Sequence, residues 1–297
     1  MATEQQSSGE GELIRGPASV VWRHGGDIRG MLAAGSALVL QVGHPTVAAG
    51  VREHSDYAVD PWGRLLRTLD YLYTAIYAER ETAERAGHRL RERHRQIKGV
   101  KPDGSSYHAL EPEAFAWVHA TLIEQIIAAN EHFARPMAGS VLEQFYAEML
   151  AIGRLHGVAG ADLPPSYAEF RPYFAQMVDS LEDSDVVRGV LDTLTHPARP
   201  TSKLPDPAWR LATMPVAATL RLGTVGLLPQ GLRRRWQLPW GRSQELQLRA
   251  LGAASRGVTP IMPRSLQVIG PAYLRQRQRL RDHRRSQLRR RAGSLTA

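Results

Sequence analysis

The chain contains no cysteine. That absence excludes disulfides, iron–sulfur clusters, thiolate metal ligands and cysteine nucleophiles, so any metal must be held by histidine, carboxylate or other oxygen donors. Long uninterrupted hydrophobic runs are missing too. The apolar stretches 27–42 and 211–232 are too short, or too broken by glycine and proline, to span a bilayer. The start, MATEQQSSGEGELIRGP, lacks the basic region and apolar core of a secretory signal, so the expected location is the cytoplasm. No glutamate stands three residues before any of the eleven histidines, which excludes the Glu-x-x-His pairs of a carboxylate-bridged di-iron bundle. The HExxH, Gly-x-Ser-x-Gly, GxxxxGK[ST] and GxGxxG patterns are likewise absent, leaving zinc protease, serine hydrolase and nucleotide-binding readings without an anchor.

The 297 residues are 43% hydrophobic, enough to bury a substantial core. The formal charge of +9 resembles a nucleic-acid signature until it is located. Nine arginines and the single Asp282 fall between Arg275 and Arg291, so nearly all the net charge sits in the tail and a basic folded DNA-binding face is not expected.

Apolar positions recur at three- and four-residue steps through most of the chain, and no period-two segment stands out, so the expected class is all-α. The pattern predicts a buried helix over 27–42 ended by Gly43, and a short helix opened by Pro45. Further helices are predicted from Pro61 to about Ala78, over 80–99, from Pro112 to Phe133, and at 139–156, 166–182 and 185–195. VKPDGSSYHALEP reads as a turn region, and 196–205 as a surface linker. Pro215 and Pro229 are expected to break the apolar run 211–232 into a helical hairpin. Trp209, Trp236 and Trp240 bracket that run with Arg233, Arg234 and Arg235, a composition shared by packed hairpins and by elements lying at a membrane interface. The expected layout is a disordered start (1–14), one helical domain (15–265) and an Arg-rich helix fraying into a tail (266–297).

On the helix over 80–99, Ala83, Ala86, Leu90 and Ile97 form one narrow apolar stripe, and His94 lies on it. All other faces are charged or polar. A polar side chain on the only buried face needs a partner inside, either a backbone carbonyl or a metal or haem. Arg64 and Thr68 are one turn apart on the preceding helix, able to orient an oxygen ligand or to pair with Asp60 or Asp70. His44, at the turn after the first apolar helix, and His119, on the inner face of the 112–133 helix, are the other candidates to approach a cofactor.

The series LVLQVGHPTVAAGVREHSDY, DPWGRLLRT, RERHRQIKG, YHALEPEAFAWVHATL, EQFYAEM and GTVGLLP with a later LPW resembles the catalytic domain of the latex clearing protein (rubber oxygenase) and MpaB-type oxygenase family. The resemblance implies an all-helical fold with a globin-like core and a b-type haem whose iron reacts with dioxygen. By the same resemblance His94 matches the proximal histidine, and Arg64 and Thr68 match distal residues. Arg67 stands where rubber oxygenases carry a distal lysine. HPTVAAGV offers no equivalent of their distal glutamate, which points away from polyisoprene and toward an intracellular isoprenoid or lipidic substrate. The other reading is a non-catalytic helical protein that binds haem or lipid. Peripheral contact with anionic membranes through 209–240 and 275–291 is the expected partner interaction beyond substrate and dioxygen.

Overall fold

The computed structural model describes residues 16–55, 61–101, 103–195 and 206–295. The expected disordered start and the expected linker at 196–205 lie outside the described residues. The architecture is all-α. The chain opens with α1 (Val20–His24), followed by a 3-10 turn over Ile28–Ala33, α2 (Ala34–Gly43) and α3 (Pro45–His54). The apolar run expected as one helix thus starts as 3-10. Asp27 caps it by accepting from the Arg29 amide at 2.9 Å. At the other end His44 caps α3 and Pro45 occupies its first turn, so the chain bends by 102° between the two segments.

Next come α4 (Pro61–Tyr77) and α5 (Arg80–Arg95), joined by only two residues and packed on each other as an antiparallel hairpin. Helix α5 stops at Arg95, earlier than expected, because the chain enters a two-stranded antiparallel hairpin, β1 (Lys98–Val100) and β2 (Ser106–His108). Three-residue strands are too short for period-two patterning to show, and the expected turn is the hairpin's loop, with Gly104 at φ +85°. Its anchor is Tyr107, buried opposite Gly99, with its hydroxyl donating to Glu53 at 2.6 Å.

Helix α6 (Pro112–Phe133) runs through the middle of the core. Trp117, Ala120 and Ile123 on it are fully buried, and the Trp117 indole donates to the Leu40 carbonyl at 2.9 Å. Burying an aromatic ring of about 200 Å² contributes roughly 5 kcal/mol before entropy is charged against it. Around it lie α7 (Ser140–His156), α8 (Tyr167–Ser180) and α9 (Asp185–Thr195).

Helix α10 (Asp206–Gly226) passes straight through Pro215 and breaks only at 227–229, before α11 (Gln230–Arg235). Pro215, which cannot donate to the Leu211 carbonyl, lies with Leu211 on an exposed side, open to solvent. Trp236 is 2% exposed, in the core, and Arg233 stacks 4.7 Å over Trp240 while donating to the Gly226 carbonyl at 2.8 Å. That half of 209–240 is therefore internal packing.

Helix α12 (Arg242–Val258), a 3-10 turn (Thr259–Ile261) and α13 (Arg264–Gln267) lead to α14 (Gly270–Leu295), helical to its described end where a fraying tail was expected. An isolated bridge, Asp27 with Val268, and the Ile269 amide bonded to the Gly26 carbonyl at 2.9 Å tie this late segment to the early one. Among the described residues no single helix is long and apolar enough to cross a membrane.

Candidate functional site

The α4–α5 hairpin sets the geometry. Arg64 lies thirteen residues before Tyr77 and His94 fourteen after Arg80. At 1.5 Å rise per residue both stand about 20 Å from the turn, level with each other on adjacent helices. Arg67 and Thr68 follow one turn closer to the bend. The side chain of Arg64 lies outside what the structure describes; Arg67 is partly exposed and Thr68 exposed.

His94 is half-buried, its ring edge-on to Phe115 with centroids 5.7 Å apart. Its Nδ1 lies 2.8 Å from the carbonyl oxygen of Leu90. A carbonyl only accepts, so Nδ1 carries the proton, and this backing acceptor fixes the ring's orientation. Of the two partners considered from sequence, the structure shows the backbone carbonyl, which holds Nδ1.

His44 is arranged differently. Its Nδ1 accepts from the Thr46 amide at 3.2 Å, so Nε2 carries the proton and donates to Glu113 at 3.2 Å. Both nitrogens are engaged in capping α3 and tying it to α6, and burial holds its pKa below the ordinary value. His119 is fully buried, with Nε2 donating to the Met149 carbonyl at 2.6 Å, and desolvation pushes it down to about 4. His94 thus stands on α5 and Arg67 and Thr68 on the adjacent α4, while His44 and His119 bond to Glu113 and to the Met149 carbonyl.

Two residues that hydropathy did not single out shape this region. Gly87 sits seven positions before His94, on the same face of α5, and an added Cβ would fall well inside contact with the Leu155 carbonyl on α7. Arg91 donates to that same carbonyl at 3.1 Å. His156, at the end of α7, is buried with its Nε2 unpartnered among the described residues, and burial, with His119 and Arg91 nearby, pushes it down to about 3. Glycine has no hydropathy signal. His156 does stand just before Gly157, whose φ of +102° ends the helix, but its burial depends on α5 and could not be read locally.

Further along α4, Asp70 accepts from the Tyr273 hydroxyl at 2.8 Å and pairs with Arg277 of α14, and the same hydroxyl lies 2.9 Å from the Leu66 carbonyl. A separate cavity of about 340 Å³, lined by Arg188, Leu194, Arg221, Thr224 and Leu238 among others, lies between α9 and α10, away from the hairpin.

Among the described residues no group of three or more His, Asp or Glu side chains is placed to hold a metal ion. A b-type haem needs an imidazole backed by a hydrogen-bond acceptor and an apolar pocket, and of these the Leu90 carbonyl behind His94 is the backing acceptor.

A sequence model described as "ER-bound oxygenase mpaB/B'/Rubber oxygenase, catalytic domain" matches residues 22–257. An uncharacterised protein of Mycobacterium tuberculosis and another of Mycobacterium bovis are each 24% identical over 242 residues, covering 78% of this chain and 90% of the relative. No solved structure matches the chain.

Proposed function

Because the chain belongs to the family of MpaB and rubber oxygenase catalytic domains, we propose that it is a haem b-dependent oxygenase acting with dioxygen on a hydrophobic, isoprenoid or lipidic substrate. The observation that supports the cofactor is the His94 Nδ1–H bonded to the Leu90 carbonyl, the backing acceptor that a haem-holding imidazole would use. When bound, haem supplies the redox-active iron at which dioxygen is activated. The residues of this chain hold and tune it. Leu90 keeps the proton on Nδ1 and the ring in one orientation. Arg64 and Thr68, on the neighbouring helix, would offer hydrogen-bond donors to dioxygen. Arg67 stands where a lysine could act as an iron ligand, a role that a guanidinium does not take.

Arg67 also favours a second reading, a helical haem- or lipid-binding protein without turnover. Absorption spectroscopy is the first test. The purified protein is expected to show a Soret band and a b-type pyridine haemochrome, and His94→Ala to fold but hold little haem. Full occupancy in His94→Ala would remove the assignment. Oxygen consumption on adding candidate lipids then separates oxygenase from binder.

A further inference from the structure

Helix α10 has two apolar sides where a helix on a body needs one. Thr213, Ala217, Leu220 and Thr224 face inward at helical spacing, from partly to fully buried. Outward, Leu211, Met214, Pro215 and Ala218 recur at three, four and seven residues, flanked by Ala212 and Val216, and all six are exposed. Leu211, Met214 and Val216 are 69, 59 and 55% exposed in the described structure. Single exposed leucines are ordinary, whereas a contiguous apolar stripe on one helix marks a surface that something covers.

The charge around the stripe says what. From Pro207 to Gln244 the sequence has no aspartate or glutamate and six arginines. Arg233 and Arg235 bond backbone carbonyls of the body, but Arg210 and Arg221 are exposed and stand just before and just after the stripe. We propose that this face of α10 docks on an anionic lipid surface, with the apolar side chains inserted and the two arginines at headgroup level. The exposed part, 208–218, extends about 16 Å, half the thickness of a hydrocarbon core, so the helix lies along the interface and does not cross it. A second copy of this chain is the poorer occupant. A two-fold contact would set an acid-free surface against itself, arginines facing arginines.

The surface is independent of the haem assignment, and its test reads lipid binding alone. The full-length protein is floated with vesicles of phosphatidylcholine, and of phosphatidylcholine mixed with phosphatidylglycerol. Binding is expected only to the anionic vesicles, and to weaken as the Debye length shrinks from about 10 Å at 0.1 M salt to about 3 Å at 1 M. A variant carrying Leu211→Ser, Met214→Ser and Val216→Ser, all at exposed positions, should keep the parent Tm and lose at least about tenfold in vesicle affinity. Three outcomes overturn the proposal. One is a triple variant that binds like the parent, which assigns the attraction to the arginines of α14. Another is no binding to either vesicle. The third is a parent dimer that the triple variant converts to monomer, without vesicle binding.

Discussion

Gly87 shows how much a missing methyl group can matter. Alanine there would gain about 1 kcal/mol in helix propensity, yet its Cβ would meet a backbone oxygen that cannot step aside. The steric cost, about 1–3 kcal/mol beyond that gain, wins. Gly87→Ala is expected to lower Tm by about 2–4 °C per kcal/mol and, because α5 must shift away from α7, to reduce haem retention at His94; calorimetry with a haem titration measures both. Of the three buried histidines, His119 and His156 set the larger part of a pH dependence to which His44, lowered by burial as well, adds in the same direction. His119 and His156 titrate in the unfolded chain near 6.5 but in the folded one only near 4 and 3. Between those values the unfolded state binds more protons, so stability falls as pH drops from 6.5 toward 4 and is unaffected by these groups above 6.5. Each contributes up to about 1.4 kcal/mol per pH unit in that window. His156→Leu should remove about half of the slope that His119 and His156 set, read from denaturant midpoints across the range. His94 was legible because it is the one polar residue on an apolar stripe; Gly87 and His156 were not, since contact with another helix defines them.

At the scale of elements, α14 is a strap across α4. The tail read as pure composition, nine arginines with one aspartate. Two of its residues do specific work: Tyr273 bonds Asp70 beside the Leu66 carbonyl, and Arg277 pairs with Asp70. Tyr273 also meets Tyr73 edge-on at 5.5 Å. A pairing across about two hundred residues leaves no local period, so sequence alone gave Asp70 as a possible partner of Arg64 and not of Arg277. A chain ending at Ile269 is expected to lose about 3 kcal/mol, from one partly buried tyrosine contact and one partly buried ion pair, and to melt about 6–12 °C lower. Unchanged melting would mean that the strap rests on α4 without holding it. Pro215 teaches the converse lesson: a strong breaker is overruled when it lies on an exposed side, open to solvent.

At the scale of the molecule, the helical class and most boundaries follow from three- and four-residue periodicity, α6 over Pro112–Phe133 and α9 over Asp185–Thr195 among them. The β-hairpin escaped because its strands are held by Tyr107 packing and a glycine, not by alternation. The hairpin of α4 and α5 was visible as two consecutive helices, but the level placement of Arg64 and His94 needed their two-residue turn. If haem binds the folded state only, saturation at a hundred times the dissociation constant should add about 2.7 kcal/mol and raise Tm by about 5–10 °C over the haem-free protein. His94→Ala should erase that gain while leaving the haem-free Tm close to the parent value.

The tie between Gly26 and Ile269 also has a consequence in time. Tyr77 is enclosed by Gly26 on one side and Gly270 on the other, where any side chain in place of either glycine would overlap its ring. A ribosome adding about 5–20 residues per second needs roughly 10–40 s to travel from Tyr77 to Gly270. Throughout that interval one side of Tyr77 stays uncovered on the nascent chain, so a ring made early is enclosed last.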